Sequence, residues 1–255
     1  MQKQIKLIQY FLILPIFLFA NSNPEILAVL TNHQIDNNGN STGLWFSELT
    51  HFYHIFEDTE YSVDFVSPKG GNVPIDPASL TNLDEISLDY HNNSNFMERL
   101  KKTPSVNDIN VKDYIAIYFA GGHGAMWDFS KNTELEDITR EIYEKKGIVS
   151  AVCHGTAGLL NTKLSNGKYL IDDKNITGFS NIEESIAGKK SSVPFFLEDA
   201  IEDRNANYDK NLIPFTSNVV IDGRIFTGQN PNSTRELAEA ILNYLKKNDM
   251  MSKTN

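Results

Sequence analysis

The sequence predicts an α/β protein built on a mostly parallel sheet. Short apolar and β-branched runs, typical of buried parallel strands, alternate with amphipathic helical stretches along most of the 255 residues. The clearest run, Tyr114–Phe119, leads into a glycine-rich loop, and a second, Ile148–Val152, leads into Cys153 and His154. Because a strand–helix–strand order forms a βαβ unit, neighbouring strands are expected to be parallel.

The first half of the chain supplies one βαβ unit and then a weaker pattern. Residues 26–30 and 63–66 predict strands, and residues 43–56 between them carry apolar side chains at helical spacing. Residues 72–112 are more polar. We interpret this 72–112 segment as a small cap inserted over the sheet edge and covering the site. Its predicted helical stretches are residues 77–85 and 93–102.

The second half supplies the elements that complete the sheet. They are, in order, a helix at 132–145, the strand Ile148–Val152, a strand at 176–178, a helix at 195–204, a hairpin at 219–227 and a helix at 234–246. Asp222 and Gly223 are typical of a hairpin turn. Ser233, with Glu236 three residues later, predicts a capping box for the last helix.

Residues 1–20 have the composition of a secretory signal peptide. Lys3 and Lys6 precede an apolar run that ends at Ala20, and polar residues follow. The run is shorter than the roughly 20 residues that a membrane-spanning helix needs. We therefore expect cleavage after Ala20, export of residues 21–255 as a single domain, and no membrane association after cleavage.

Composition excludes several classes of function. The chain has 23 basic and 33 acidic residues and a net charge of −10. This charge argues against nucleic acid and anionic membranes as partners, because both require a basic surface. Cys153 is the single cysteine, so no disulfide forms within the chain and its thiol stays free for chemistry. No Cys/His zinc spacing and no phosphate loop is present, so we expect no metal. We also expect no cofactor, because a thiol and two proton carriers are sufficient for the chemistry considered below.

The sequence around Cys153 indicates a nucleophile on a sharp strand-to-helix turn. Ala151 and Gly155 are small, as the crowding of such a turn requires. The helix that follows would place its N-terminus beside the sulfur and stabilise a thiolate. The alternative is a buried cysteine that serves only as a small apolar residue. The adjacent His154 favours the nucleophile.

The positions of the histidines limit the class of reaction. Apart from His154, none lies downstream of the cysteine; the six are His33, His51, His54, His91, His123 and His154. Esterases of the α/β-hydrolase type place the catalytic histidine late in the chain, and cysteine amidotransferases also need a late histidine. Both classes are excluded here. The imidazole must come from His154 or from an earlier loop.

Three further features could complete a site, and each has a plainer explanation. Glu183 and Glu184 follow a predicted strand, where a carboxylate could orient an imidazole, or they form a solvated first turn of helix. Glu48 lies in an apolar helix, either on its wet face or partly buried with a raised pKa. Gly121 and Gly122 could offer N–H groups to an oxyanion, or simply form a tight turn.

Together these stretches resemble the ThiJ/PfpI superfamily, and more closely its heat-shock glyoxalase and chaperone branch. Ala151-Val-Cys-His-Gly155 matches the elbow of the superfamily, and Ala120-Gly-Gly-His-Gly124 matches its glycine loop. The branch is indicated by residues 42–49, 63–67, 177–184 and 222–231. The resemblance covers nearly all of the chain after residue 25.

The resemblance implies a fold and a set of roles. The fold is a flavodoxin-like three-layer sandwich, similar to that of class I glutamine amidotransferases. The family's nucleophile, triad histidine, triad acid and conserved acid beside the cysteine fall on Cys153, His154, Glu184 and Glu48. The oxyanion or substrate-binding loop falls on Gly121 and Gly122, with the backbone N–H groups of Gly122 and His154 as donors.

The activity implied by the resemblance is that of a cofactor-free, cysteine-dependent glyoxalase III-type lyase (D-lactate dehydratase). Methylglyoxal and water would give lactate through a hemithioacetal on Cys153, with His154 or Glu48 as the base. Two other classes stay open, namely a stress holdase whose cysteine senses oxidation and a cysteine peptidase or amidase. The implied partner is a small 2-oxoaldehyde, and a homodimer is one option for assembly.

Overall fold

The computed structural model describes residues 24–253, with side chains through residue 249. The strands are β1 (Glu25–Val29), β2 (Ser62–Val66), β3 (Tyr114–Phe119), β4 (Ile148–Val152), β5 (Asn175–Ile176), β6 (Asn207–Tyr208), β7 (Val219–Asp222) and β8 (Ile225–Gly228). The helices are α1 (Phe46–Phe56), α2 (Glu85–Asn92), α3 (Ser94–Lys101), α4 (Ala125–Asp128), α5 (Thr133–Glu144), α6 (Asn181–Ile186), α7 (Leu197–Glu202) and α8 (Thr234–Lys253). The signal peptide predicted at residues 1–20 lies outside the described residues and stays a prediction.

Six strands form the central sheet, in the order β2-β1-β3-β4-β8-β7. The first five are parallel to their neighbours, and only β7 pairs antiparallel, as one arm of the predicted hairpin with β8. The α/β class with a mostly parallel sheet is therefore confirmed. The strand order reverses direction between β1 and β3, and the loops at the carboxyl ends of strands beside such a reversal commonly form binding sites.

Helices cover both faces of the sheet. The connection from β1 to β2 through α1 runs in one direction along the sheet, and that from β3 to β4 through α5 runs in the other. Because such crossovers are right-handed, α1 and α5 lie on opposite faces. Helix α8 packs against α1 and β8. This arrangement is the expected three-layer sandwich.

Helix α1 is fixed to the sheet by aromatic packing. The rings of Phe52 and Tyr118 stack with their centroids 3.7 Å apart, and both side chains are fully buried. The Tyr118 hydroxyl donates to the backbone oxygen of Glu48 at 2.7 Å. These contacts set the position of Glu48 relative to the end of β3.

The 72–112 segment packs beside α1 and does not cover the site. Helix α2 contacts α1 and α3, and the rings of Phe46 and Phe96 meet edge to face at 6.3 Å. No residue of this segment lines the cleft beside Cys153. The expectation that the segment covers the site is wrong, because its buried side chains, such as Phe96 and Leu100, face α1 and the β2 edge of the sheet.

The stretch predicted as helical at 77–85 is helical only at its start. It holds a 3₁₀ turn, Pro77–Leu80, capped by Asp76, and α2 begins at Glu85 after its cap, Asp84. Each aspartate accepts a hydrogen bond from a backbone N–H of the first turn, which is the usual way to satisfy the free donors of a helix start. The two caps mark the starts of two separate helices, and the sequence pattern did not predict the second start.

The strand predicted at 176–178 does not join the main sheet. Strand β5 has two residues and pairs with β6 in a separate two-stranded sheet. It is tied to the main sheet by a hydrogen bond from the backbone N–H of Thr177 to the hydroxyl of Thr227 at 3.0 Å. The chain then enters α6, so the loop after β5 still reaches the end of the sheet where β4 ends.

The capping box predicted for the last helix is wrong. The Ser233 hydroxyl accepts from the backbone N–H of Asn218 at 3.1 Å, and Glu236 accepts from the Ser217 hydroxyl at 2.6 Å. Asn230 instead caps a 3₁₀ turn, Pro231–Ser233, which leads into α8. Helix α8 also extends beyond the predicted residue 246. No helix among residues 24–253 is both long and apolar enough to cross a membrane.

Candidate active site

Cys153 lies on the sharp turn at the end of β4. Its φ of +55° falls in the left-handed region, which residues other than glycine rarely adopt and which is concentrated at functional sites. Gly155 is required two residues later, because a Cβ there would lie 2.2 Å from the carbonyl oxygen of Phe119. The chain continues as a 3₁₀ helix, Cys153–Leu159. The predicted elbow therefore has the expected position and a strained backbone.

A chain of hydrogen bonds leads from the cysteine to a carboxylate. The Cys153 Sγ lies 3.3 Å from His154 Nδ1, and His154 Nε2 lies 2.8 Å from Glu184 Oε2. All three side chains are buried. Because an ionised carboxylate only accepts hydrogen bonds, Nε2 carries the imidazole proton and Nδ1 presents a lone pair to the thiol. His154 is therefore placed to take the thiol proton.

Glu184 lies in the first turn of α6, and it is the member of the predicted pair that reaches the imidazole. Burial alone would raise its pKa, but hydrogen bonds and attraction from His154 and His123 outweigh burial and hold the pKa well below the usual range. Burial also lowers the pKa of His154, so this ring is neutral at pH 7. The solvated-turn alternative is wrong for Glu184, which is 4% exposed.

Glu183 is equally buried but has a different task. Its Oε2 accepts from the backbone and the hydroxyl of Ser180, which forms the capping box of α6. Its Oε1 accepts from the backbone N–H of Phe215 at 2.8 Å and from Asn230 Nδ2 at 2.9 Å. Glu183 thus joins α6 to the loop that carries Phe215, whose own φ of +60° is also left-handed.

His123 is a second imidazole at the site, and the sequence reasoning did not assign it a role. Its Nε2 lies 2.9 Å from Glu184 Oε1, and its ring centroid is 4.1 Å from that of His154. The available indication was its place directly after Gly121 and Gly122 at the end of β3. Strands β3 and β4 are adjacent and parallel, so the residues that follow them must meet.

Glu48 is fully buried beside the cysteine, so the wet-face alternative is wrong. Its Oε2 accepts from the backbone N–H of Gly121 at 2.7 Å, while Oε1 has no hydrogen-bond partner among residues 24–249. Burial raises the pKa of Glu48 to about 8, against smaller lowering effects of Cys153 and Gly121. The carboxyl group therefore carries a proton at neutral pH.

The expectation of a thiolate stabilised by the following helix needs correction. Burial and the neighbouring Glu48 raise the pKa of the Cys153 thiol, although the backbone N–H of His154 acts in the opposite direction. The resting group at neutral pH is therefore a thiol. It needs a base to become a nucleophile, and His154 Nδ1 is the base in contact with it.

The backbone N–H groups of Gly121 and Gly122 in the glycine loop have different roles. The Gly121 N–H donates to Glu48, so it is not available to an oxyanion, and that assignment is wrong. Gly122 has a φ of +96°, and a Cβ there would lie 2.2 Å from the carbonyl oxygen of Gly43. Its N–H has no acceptor among the described residues. The N–H groups of Gly122 and His154 stay the predicted oxyanion donors.

The cysteine opens on a small, mostly apolar cleft of about 260 Å³. Aromatic side chains form its walls, namely those of Trp45, Phe179 and Phe215. Among the described residues that line it, none is Lys, Arg, Asp or Glu. The cleft therefore suits a small uncharged molecule, because it has no ion partner for a carboxylate or phosphate group.

One group of side chains has the donor types of a metal site. A ring nitrogen of His123, a ring nitrogen of His154 and a carboxylate oxygen of Glu184 lie within 4.8 Å of one another. Two imidazoles and a carboxylate are ligands that zinc accepts. In the structure these three groups satisfy one another by hydrogen bonds. The expectation of a site without metal or cofactor stays a prediction.

Comparisons with known proteins agree with this fold. The model of the DJ-1/PfpI family matches residues 46–244. The glutathione-independent glyoxalase HSP31 of Saccharomyces cerevisiae is 33% identical over 236 residues, which are 87% of this chain and 98% of that protein. The crystal structure of Candida albicans glyoxalase III superposes with a TM-score of 0.80 at 29% identity, covering 87% of this chain and 97% of the other. The Francisella tularensis rapid encystment protein of 24 kDa superposes with a TM-score of 0.83 at 43% identity, covering 86% and 97%.

These matches span the glycine loop, the elbow and α6, and they confirm the resemblance that the sequence motifs indicate. On this basis the chain belongs to the DJ-1/PfpI family.

Proposed function

We propose that this protein is a glutathione-independent glyoxalase that converts methylglyoxal and related 2-oxoaldehydes to 2-hydroxy acids. The observation that carries the proposal is the pairing of Cys153 with a neutral His154 Nδ1 on one side and a protonated Glu48 on the other. Several relatives with this name match most of the chain, which supports the same activity.

The first step is attack of the Cys153 sulfur on the aldehyde carbon, C1. The thiol proton passes to His154 Nδ1 as the S–C bond forms, and the carbonyl electron pair moves to oxygen. That proton then neutralises the oxygen and gives a hemithioacetal. The N–H groups of Gly122 and His154 are the donors we assign to the developing oxyanion.

The second step oxidises C1 and reduces C2 within the same substrate molecule, by proton transfers between the two carbons and their oxygens. A base takes the C1 hydrogen as a proton, its bonding pair forms a C1–C2 double bond, and the C2 carbonyl pair moves to oxygen. The enediolate collapses to a thioester when C2 is protonated and the hydroxyl proton on C1 passes to the oxygen on C2, so C1 is oxidised and C2 reduced without an external oxidant. The base is His154, or Glu48 after it has lost its own proton, and both groups lie next to the sulfur.

The last step is hydrolysis of the thioester. Water adds to C1, the C–S bond breaks, the sulfur recovers a proton and the 2-hydroxy acid leaves. For methylglyoxal the product is lactate, and the face on which C2 is protonated sets its stereochemistry. We propose D-lactate, as in a D-lactate dehydratase.

The cleft supports a small substrate rather than a polypeptide. Cys153 is 3% exposed, and the aromatic side chains of Trp45 and Phe215 stand beside it. A peptide bond within a folded or extended chain would need a longer groove past the sulfur. This burial argues against the peptidase alternative.

The test is lactate formation from methylglyoxal by the wild type beside Cys153→Ala and Glu48→Gln. We expect D-lactate from the wild type and none from Cys153→Ala. Loss of turnover in Glu48→Gln with normal alkylation of its thiol would assign the C1 proton to Glu48, and retained turnover would assign it to His154. A wild type with a reduced thiol that leaves methylglyoxal unchanged would overturn the proposal. Suppression of client aggregation by both the wild type and Cys153→Ala would then favour the holdase.

A further inference from the structure

The isomerisation proposed above has a proton transfer that the groups next to the sulfur do not account for. In the hemithioacetal C1 bears a hydroxyl group and C2 a carbonyl group. In the thioester C1 bears the carbonyl group and C2 the hydroxyl group. A second proton must therefore leave the oxygen on C1 and arrive at the oxygen on C2, besides the carbon-bound proton that moves from C1 to C2.

Few side chains in the cleft can carry that proton. Among the described residues that line it, His123, Cys153 and His154 carry a ring nitrogen or a sulfur atom that can exchange a proton with a bound molecule. Cys153 is bonded to the substrate during this step, and His154 faces the sulfur. Glu48 is already a candidate for the carbon-bound proton and does not line the cleft, so the remaining group is His123, which is 7% exposed and does line it.

The hydrogen bonds of Glu184 define the protonation state of His123. Glu184 Oε1 is 2.9 Å from His123 Nε2, just as Oε2 is 2.8 Å from His154 Nε2. An ionised carboxylate accepts from both rings, so both Nε2 atoms carry protons. In a ring that carries no second proton, Nδ1 is then an acceptor. His123 Nδ1 has no hydrogen-bond partner among residues 24–249, which leaves it available to a molecule in the cleft.

We propose that His123 is a second catalytic base, whose Nδ1 carries the hydroxyl proton from the oxygen on C1 to the oxygen on C2. As the C1 hydroxyl loses its proton to Nδ1, its O–H pair forms the thioester carbonyl, and the C1–C2 pair takes up the proton delivered to C2. Nδ1 then returns its proton to the alkoxide on C2. The step needs no other reactant, and this inference rests on the proposed glyoxalase function.

The closeness of the two rings, which are tilted by 37° to each other, supports these separate roles. The ring centroids lie 4.1 Å apart, so a positive charge on one imidazole disfavours a positive charge on the other. A single carboxylate stabilises whichever ring is charged, because it is hydrogen-bonded to both. The pair can therefore pass protons through the substrate in sequence.

Two substitutions separate a base from a ring that only positions Glu184. In His123→Gln the side-chain amide reaches the place of ring Nε2, so it can still donate to Glu184 but contains no base. In His123→Asn the amide lies where Nδ1 was and is too short to reach Glu184. The readouts are kcat with methylglyoxal, the solvent deuterium isotope effect on kcat, and the pH profile of Cys153 alkylation by iodoacetamide.

We expect His123→Gln to keep the wild-type alkylation profile while kcat falls about 10²-fold and the solvent isotope effect increases, since general acid–base groups contribute roughly that factor. Unchanged kcat in His123→Gln would overturn the inference. So would an alkylation profile that shifts together with kcat, because His123 would then act through His154. A wild type that forms no lactate would overturn both this inference and the proposed function, whereas an active wild type with an equally active His123→Gln overturns this inference alone.

Discussion

The Nε2 atom of His154 lies 2.8 Å from Oε2 of Glu184, and this contact decides which ring nitrogen faces the sulfur. The carboxylate holds a proton on Nε2, so the lone pair of Nδ1 points toward the thiol. Without that constraint the other tautomer would donate to the sulfur and could not accept its proton. The strength of the nucleophile therefore depends on a residue that does not touch it.

Glu184→Gln is predicted to lower kcat for lactate formation by at least about 10²-fold, because an amide offers only one acceptor oxygen to two imidazole N–H groups. One ring must change tautomer, and either change removes a base from the cleft. Steady-state kinetics measure the effect. The control is Glu202→Gln, an exposed residue on α7, and equal kcat values for the two variants would contradict the assignment.

Glu48→Gln is predicted to stabilise the protein at pH 8. The folded pKa of Glu48 is about 8 against a usual value of 4.5, so the wild-type chain loses stability relative to the variant as the pH rises from 4.5 to 8. The amide has no charge to desolvate, and the advantage at pH 8 is on the order of 2–4 kcal/mol. Denaturant unfolding at several pH values measures it.

The pH dependence of this stability difference shows whether the raised pKa of Glu48 causes it. The advantage of Glu48→Gln must shrink as the pH is lowered and vanish below about 4.5, the unfolded pKa of the carboxyl group. Glu60→Gln, on an exposed turn, serves as the control for the removal of one carboxyl group. A constant difference at all pH values would mean that Glu48 is ionised in the folded protein.

Gly122→Ala is predicted to be much more damaging than Gly167→Ala. Both glycines have positive φ values, +96° and +84°, so both substitutions strain the backbone by about 1 kcal/mol. At Gly122 the new Cβ would also lie 2.2 Å from Gly43 O and 2.4 Å from Trp45 N, whereas nothing lies within 4 Å at Gly167. Thermal unfolding should show a clearly larger loss for Gly122→Ala. Equal losses of stability in the two variants would show that backbone strain accounts for both, with no added effect of the contacts of the new Cβ at Gly122.

Glu183→Gln is predicted to raise KM more than it lowers kcat. Glu183 accepts from four donors, among them the backbone N–H of Phe215, and glutamine keeps only one acceptor oxygen, so buried donors lose their partner at a cost of about 1–3 kcal/mol each. The wall formed by Phe215 should loosen, while Glu184 keeps its contacts with the imidazoles. We expect a KM increase of about tenfold, equivalent to 1.4 kcal/mol. A fall in kcat at constant KM would place Glu183 in the chemistry instead.

Local patterns predicted the sheet well. Runs such as Tyr114–Phe119 and Ile148–Val152 coincide with β3 and β4, because a strand buried on both faces must be apolar throughout. The elbow at Cys153 was equally accessible, since it requires small neighbours such as Gly155 within a few residues. Structural features that depend only on residues adjacent in the chain can therefore be predicted from the sequence.

Features that depend on distant partners could not be found in this way. Burial of Glu48 and Glu184 is decided by Gly121, His123 and His154, and composition alone favoured solvent exposure for both acids. The resemblance to known proteins placed these two acids at the site.

The remaining errors have the same origin. His123 was missed because its meeting with Glu184 depends on the order of strands in the sheet. The capping box predicted at Ser233 does not form, because the Ser233 hydroxyl accepts a hydrogen bond from the backbone N–H of Asn218 instead.

The central claim is that Cys153 carries the substrate as a covalent intermediate, and intact-protein mass spectrometry during turnover tests it most directly. Samples quenched in acid within the first turnovers of methylglyoxal should carry one substrate-sized adduct, which peptide mapping locates on Cys153. The adduct should disappear as lactate accumulates, and Cys153→Ala should show none. Lactate production by a wild type that never shows an adduct, or by Cys153→Ala itself, would contradict the account.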